Sequence, residues 1–163
     1  MEVNPNDSKF SWLVHLIQHY NPKRYWAWRE KVVNQECKYP KWIKLLMLFY
    51  IKWCDAYNNA SMGTNINQGA FYKTPPELPH GLNGIIVHYK ARFGANCVIY
   101  QQVTIGGKDH KAATIGNNVS IGAGAKIIGG VHIGNNVVIG ANTVVTKDIP
   151  DNKTVVGAQM RIL

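Results

Sequence analysis

Acidic residues are scarce in this chain of 163 residues: 9 Asp plus Glu stand against 18 Lys plus Arg, a formal net charge of +9. The excess is dispersed, with residues 1–60 and 61–163 each holding nine cations, against five and four acids respectively. No polybasic block or nucleic-acid motif accompanies it, so no nucleic-acid partner is expected. A dispersed excess suits an anionic cofactor, an acidic glycan or an anionic membrane surface better. Cysteines number only three, Cys37, Cys54 and Cys97, with no CxxC spacing. That excludes a disulfide framework and points to reduced, structural thiols in a cytoplasmic protein. The opening MEVNPNDSKF is polar and acidic, unlike a secretory signal. No apolar run reaches the roughly 20 residues that cross a bilayer. The heavily apolar residues 42–53 are interrupted by Lys44 and Lys52.

What the chain has instead is a period of six. From residue 87 it reads VHYKAR, FGANCV, IYQQVT, IGGKDH, then IGNNVS, IGAGAK, IIGGVH, IGNNVV, IGANTV and VTKDIP. An aliphatic or aromatic residue opens every hexad, from Val87, Phe93, Ile99 and Ile105 to Ile115, Ile121, Ile127, Ile133, Ile139 and Val145. The fifth place is small or branched: Ala91, Cys97, Val103, Val119, Ala125, Val131, Val137, Thr143, Ile149. Such hexads mark a parallel β-helix, in which each makes a short strand and a corner and three close a triangular coil. The predicted fold is mainly β, a left-handed parallel β-helix over residues 61–163, preceded by an α-helical region over residues 1–60. Ile66, Tyr72 and Leu78 extend the pattern backward, giving stacked faces 66/87/105/127, 72/93/115/133 and 78/99/121/139.

The period fails twice. Ile105 to Ile115 carries four extra residues within GGKDHKAAT, and Leu78 to Val87 carries three extra within PHGLNG. Each bulge holds a histidine, His110 and His80, and departures from a consistent pattern are where function is expected. The His80 bulge leaves the third face toward the first; the His110 bulge leaves the first toward the second. Different corners of one prism cannot easily meet, whereas a homotrimer would set one subunit's corner against another's and bring both histidines into one cleft.

The coils, LPHGLNGIIV, QQVTIGG and IGAGAKIIG resemble the catalytic domain of serine acetyltransferases, and equally the smaller O-acetyltransferases of polysaccharide clusters, including the colanic acid type. The resemblance covers roughly residues 60–163. It implies an acetyl-CoA-dependent O-acetyltransferase without an acyl-enzyme, in which the residue matching His80 takes the acceptor hydroxyl's proton. Cys97 is excluded as a nucleophile by its inward fifth place. The resemblance also implies a pantetheine arm lying along the coils between subunits, past Gly107, Ala123 and Ala141, with the Gly107 N–H a candidate oxyanion donor. Charge and location add Lys147 and Arg161 as partners for the CoA phosphates. Three departures stand out. Pro79 replaces the acidic residue that precedes the histidine in serine-specific members. Asn65 replaces the aspartate fifteen residues before it, and its side-chain oxygen can orient the ring but supplies no charge. His110 lies five residues before the next hexad instead of three. All three favour a sugar hydroxyl over serine, with Lys108 or Lys111 as further donors.

Upstream, SKFSWLVHLIQHY, PKRYWAWREKVVN and PKWIKLLMLFYIKWCDAYNN read as three helices. On the last, Lys41, Lys44, Lys52 and Asp55 share one stripe and the rest is apolar. Such a helix packs on the β-helix and on neighbouring subunits, or lies on a membrane surface through residues 41–55. His15 and His19, His88 and His132 read as packing or surface residues, so no metal is expected. Two other classes remain: a zinc hydratase of the trimeric β-helix type, for which no histidine pair falls on adjacent coils, and a non-catalytic scaffold, against which the His80 bulge argues.

Overall fold

The computed structural model describes residue 17 and residues 19–157. Over the repeat the chain forms strands of two or three residues, because the hexad leaves room for no more before the next corner. The first face stacks β4 (Ile86–Val87), β7 (Thr104–Gly106), β10 (Lys126–Ile128) and β13 (Val144–Val145). The second stacks β3 (Phe71–Tyr72), β5 (Arg92–Phe93), β8 (Thr114–Ile115) and β11 (His132–Ile133). The third stacks β6 (Val98–Ile99), β9 (Ser120–Ile121), β12 (Val138–Ile139) and β14 (Thr154–Val155). All three sheets are parallel, with Val87, Ile105, Ile127 and Val145 in one ladder and Phe93, Ile115 and Ile133 in the next. This is the left-handed β-helix expected from the period of six.

Opening and fifth-place side chains fill the prism. Ile99, Ile105, Ile121, Ile127 and Ile133 are fully enclosed, as are Ala91, Val103, Val119, Ala125 and Val137. Each enclosed Ile contributes about 1.5–3 kcal/mol relative to an exposed one. Small residues after the opening position let adjacent coils approach. A Cβ on Gly116 would come 2.7 Å from the backbone of Gly134. Along the second-to-third corner Asn96, Asn118, Asn136 and Asn152 all adopt positive φ. Their side chains hydrogen-bond one another from coil to coil, at 3.2, 3.0 and 2.9 Å. Asn tolerates this conformation better than most residues, and the amide ladder pairs its polar groups.

Two expectations are corrected at the ends of the helix. Ile66 does not open the first coil; Met62 does, fully buried, with the Val87 N–H bonded to the Ser61 carbonyl. Residues 64–69 fold outward as a small antiparallel hairpin, β1 (Thr64–Asn65) and β2 (Gln68–Gly69). The reason is local: Asn67 takes φ 56° and turns the chain where a hexad would have run on. At the other end, Ile149 is no fifth-place residue. It pairs with Ile133 and opens a final coil shortened by two residues. The side chains of Asp148 and Asp151 accept the backbone N–H groups of His132 and Asn135 across that contraction.

Ahead of the coils stand α1 (Pro22–Val33) and α2 (Lys41–Tyr57). Asn21 caps α1 by accepting the Arg24 N–H, with Pro22 beginning the helix. The first predicted helix lies mostly outside the described residues. Arg29, 3% exposed, ties α1 to the first coil by donating to Thr64 Oγ1 and to the Met62 and Ala70 carbonyls. Its guanidinium also lies over the Tyr72 ring at 4.6 Å. On α2 only Lys44 and Asp55 of the polar stripe turn inward, and Lys41 and Lys52 stay exposed. Lys44 Nζ donates to the Asn34 carbonyl and to Asn67 Oδ1, and Asp55 accepts from the Tyr25 hydroxyl at 2.6 Å. Trp42, Leu45, Leu46, Phe49 and Trp53 face outward and exposed. Among the described residues no helix is long and apolar enough to cross a membrane.

Candidate active site

The bulge at residues 79–84 is built by a few fixed points. Leu82 and Ile85 are fully buried and hold it down. Gly81 and Gly84 adopt φ of 64° and 66°, which permits the successive turns. The Gly84 N–H bonds the Asn58 carbonyl, and the Gln102 N–H bonds the Asn83 carbonyl. Between these anchors His80 projects exposed, with the Tyr100 ring 6.1 Å away and tilted. No side-chain hydrogen bond engages the imidazole among the described residues, so both its nitrogens are open to a ligand.

Register places the other candidates. Gln101, Ala123 and Ala141 occupy equivalent corner positions, as the Asn142-to-Ala123 and Gly124-to-Gln101 backbone bonds show. This column runs along the third-to-first corner, below the His80 bulge. Gly107 follows Ile105 on the first-to-second corner, and Lys147 follows Val145 by the same two positions. His110 stands on that corner too, at the tip of a tight turn closed by Lys108 and Lys111, with Asp109 and His110 at φ of 52° and 60°. A Cβ on Gly107 would come 2.8 Å from the His88 ring and 3.0 Å from the Lys111 carbonyl, so a side chain there would force a neighbour to shift. Asn65 lies on the β1–β2 hairpin of this same corner, exposed and one corner away from His80. Within one chain, then, His80, Ala123 and Ala141 form one group, and Asn65, Gly107, His110 and Lys147 another. Arg161 lies outside the described residues.

Two features were not singled out from the sequence. Tyr100 beside His80 was recoverable, because stacking Leu78 on Ile99 sets the following residues side by side. The second is a cleft at the first-to-second corner, between the hairpin and the His110 bulge, lined by Lys90, Arg92 and Lys111. It could not be foreseen while Ile66 was placed in the ladder, because the hairpin forms one of its walls.

Cys97 sits inside the prism with its thiol 3.4 Å from the Gly116 carbonyl, and burial pushes its pKa up. A thiol so placed is a poor nucleophile. Among the described residues no group of three or more His, Cys, Asp or Glu could hold a metal ion.

Residues 112–147 match the bacterial transferase hexapeptide (six repeats) family. The chain is 41% identical over 105 residues to a serine acetyltransferase of Synechococcus elongatus, covering 62% of this chain and 40% of that one. It is 35% identical over 149 residues to a serine acetyltransferase of Staphylococcus aureus, covering 88% and 59%. A solved serine acetyltransferase in complex with CoA superposes with a TM-score of 0.65 at 28% identity, covering 86% of this chain and 55% of that one. The chain thus spans less than two thirds of the length of each of these relatives. The two relatives and the solved structure are all named serine acetyltransferase, and none of these findings supports the colanic acid type. The repeats and these likenesses set the chain beside relatives named serine acetyltransferase, with residues 112–147 matching the hexapeptide transferase family.

Proposed function

We propose that the protein is an acetyl-CoA-dependent O-acetyltransferase acting as a homotrimer, with residues 61–163 as the catalytic unit and residues 1–60 as a helical appendage in a cytoplasmic enzyme. The observation that carries this reading is the placement of His80, exposed and unbonded above the corner column of Gln101, Ala123 and Ala141. A thioester arm running past Ala123 and Ala141 would present its carbonyl to that imidazole. His80 takes the proton of the acceptor hydroxyl as the oxygen bonds to the thioester carbon. The carbon–sulfur bond then breaks, and the imidazolium returns the proton to the sulfur. Gly107 N–H is the proposed oxyanion donor, with Lys147 and Arg161 toward the CoA phosphates. Since Gly107, His110 and Asn65 stand on another corner, they serve a neighbouring subunit's His80. Any orientation of the ring by Asn65 therefore crosses the interface.

For the acceptor, the named relatives favour L-serine, which reverses the ranking drawn from the sequence. A second reading, a sugar hydroxyl, keeps a specific support. Pro79 and Asn65 are uncharged where the serine enzymes are described as acidic, and an unpaired buried ammonium would cost several kcal/mol. CoA release measured against L-serine and a panel of sugars tests both. Serine-dependent release that no sugar reproduces establishes the first; release with a sugar and not with serine establishes the second. No acceptor-dependent release at all would contradict the transferase reading.

A further inference from the structure

We infer that the cleft at the first-to-second corner binds a sugar-sized acceptor carrying an anionic group, a carboxylate or a phosphate. The inference rests on the second acceptor reading above. Three cations line this cleft of about 490 Å³, Lys90, Arg92 and Lys111, and no Asp or Glu does. The backbone register and local contacts bring these cations to one corner. The Lys111 stem packs over Gly130, where an added Cβ would come 2.7 Å from Lys111 Cβ. Arg92 occupies the outward position of β5, in register between Phe71 and Thr114. Lys90 Nζ donates to the His110 carbonyl at 3.1 Å, which draws it to the base of the bulge. Neither the Arg92 guanidinium nor the Lys111 ammonium bonds a protein acceptor among the described residues. Cations gathered without counter-charge raise the local potential and attract an anion.

Size and lining narrow the ligand further. The volume falls within the roughly 300–1,000 Å³ of small-molecule sites. Phe71, 52% exposed, and Tyr89 offer aromatic surface beside the cations, and Thr114 a hydroxyl. A ring that is apolar on one face, hydroxylated at its edge and acidic at one substituent matches all of these features. The cleft shares its corner with Asn65 and His110, the groups assigned above to a neighbour's His80, so a ligand held there would have its hydroxyls near the reacting centre.

Calorimetric titration of the full chain with glucuronate, glucose 1-phosphate, glucose, L-serine and inorganic phosphate tests this without any turnover. It is therefore independent of whether CoA is released. Glucuronate or glucose 1-phosphate should bind at least tenfold more tightly than glucose or L-serine, and the stronger of the two identifies the anion. Arg92→Gln and Lys111→Gln should each weaken that binding roughly tenfold, with thermal unfolding confirming that both variants are folded. Raising salt from about 0.05 to 0.5 M should weaken it as well. Equal affinity for glucose, binding of phosphate alone as tightly as the sugars, absence of binding, or variants that bind like wild type would each overturn the inference.

Discussion

Asp55 and the three cysteines show how burial sets chemistry at single positions. Asp55 is 3% exposed, and desolvation raises its pKa above the ordinary 3.8 despite the hydrogen bond from Tyr25. A carboxyl whose folded pKa is raised favours the folded state most fully below its unfolded pKa. That contribution is lost as pH rises through the folded value. In urea unfolding the balance between wild type and Asp55→Asn should therefore shift toward the variant as pH rises from below 3.8 to neutrality. A constant gap, or a shift toward wild type, would contradict the placement of this carboxyl. The thiols give a second test. Burial raises the pKa of Cys54 and Cys97, while Cys37 is partly exposed. A thiol reagent should label Cys37 quickly in the native protein and the other two only on unfolding. Rapid native labelling of Cys97 would mean the prism is open and would restore it as a candidate nucleophile.

At the scale of elements, the coil is held by backbone-to-backbone approach as much as by its Ile ladders. Gly116 and Gly106 separate the two contributions. A methyl on Gly116 meets the Gly134 backbone at 2.7 Å, whereas one on Gly106 meets first the Cδ1 of Ile128 at 3.1 Å, the far end of a side chain. Gly116→Ala should cost about 1–3 kcal/mol and Gly106→Ala clearly less, by denaturant unfolding. Equal costs would show that the coils can move apart freely. This regularity is why so much of the fold was legible. The opening residues from Val87 to Val145 lie in the ladders that their spacing of six dictates. It failed where local turn chemistry overrode the period. Asn67 folds residues 64–69 into a hairpin, and the carboxylates of Asp148 and Asp151 bond into a coil two residues short. Neither event leaves a mark in hydrophobic spacing alone. On α2 the stripe of Lys41, Lys44, Lys52 and Asp55 splits: Lys44 and Asp55 are buried, while Lys41 and Lys52 are exposed. The inward orientation of Lys44 and Asp55 depends on partners from α1 and the hairpin, which no helical period can report.

For the whole molecule, the two bulges were legible as places where the repeat breaks, and their exit from different corners follows from register. What the sequence could not supply was the neighbourhood of each. Asn65 shares a corner with His110 and stands apart from His80, and this makes a second subunit a requirement of the proposed mechanism. Sedimentation should show a species of three 18.3 kDa chains; a fully active monomer would contradict a site shared between subunits. The most direct test of the central claim is acceptor-dependent CoA release from acetyl-CoA, compared between wild type and His80→Ala at equal CoA occupancy. Loss of the base should lower turnover by roughly 10² to 10⁴ with CoA affinity nearly unchanged, whereas a variant that turns over like wild type would remove His80 from the chemistry.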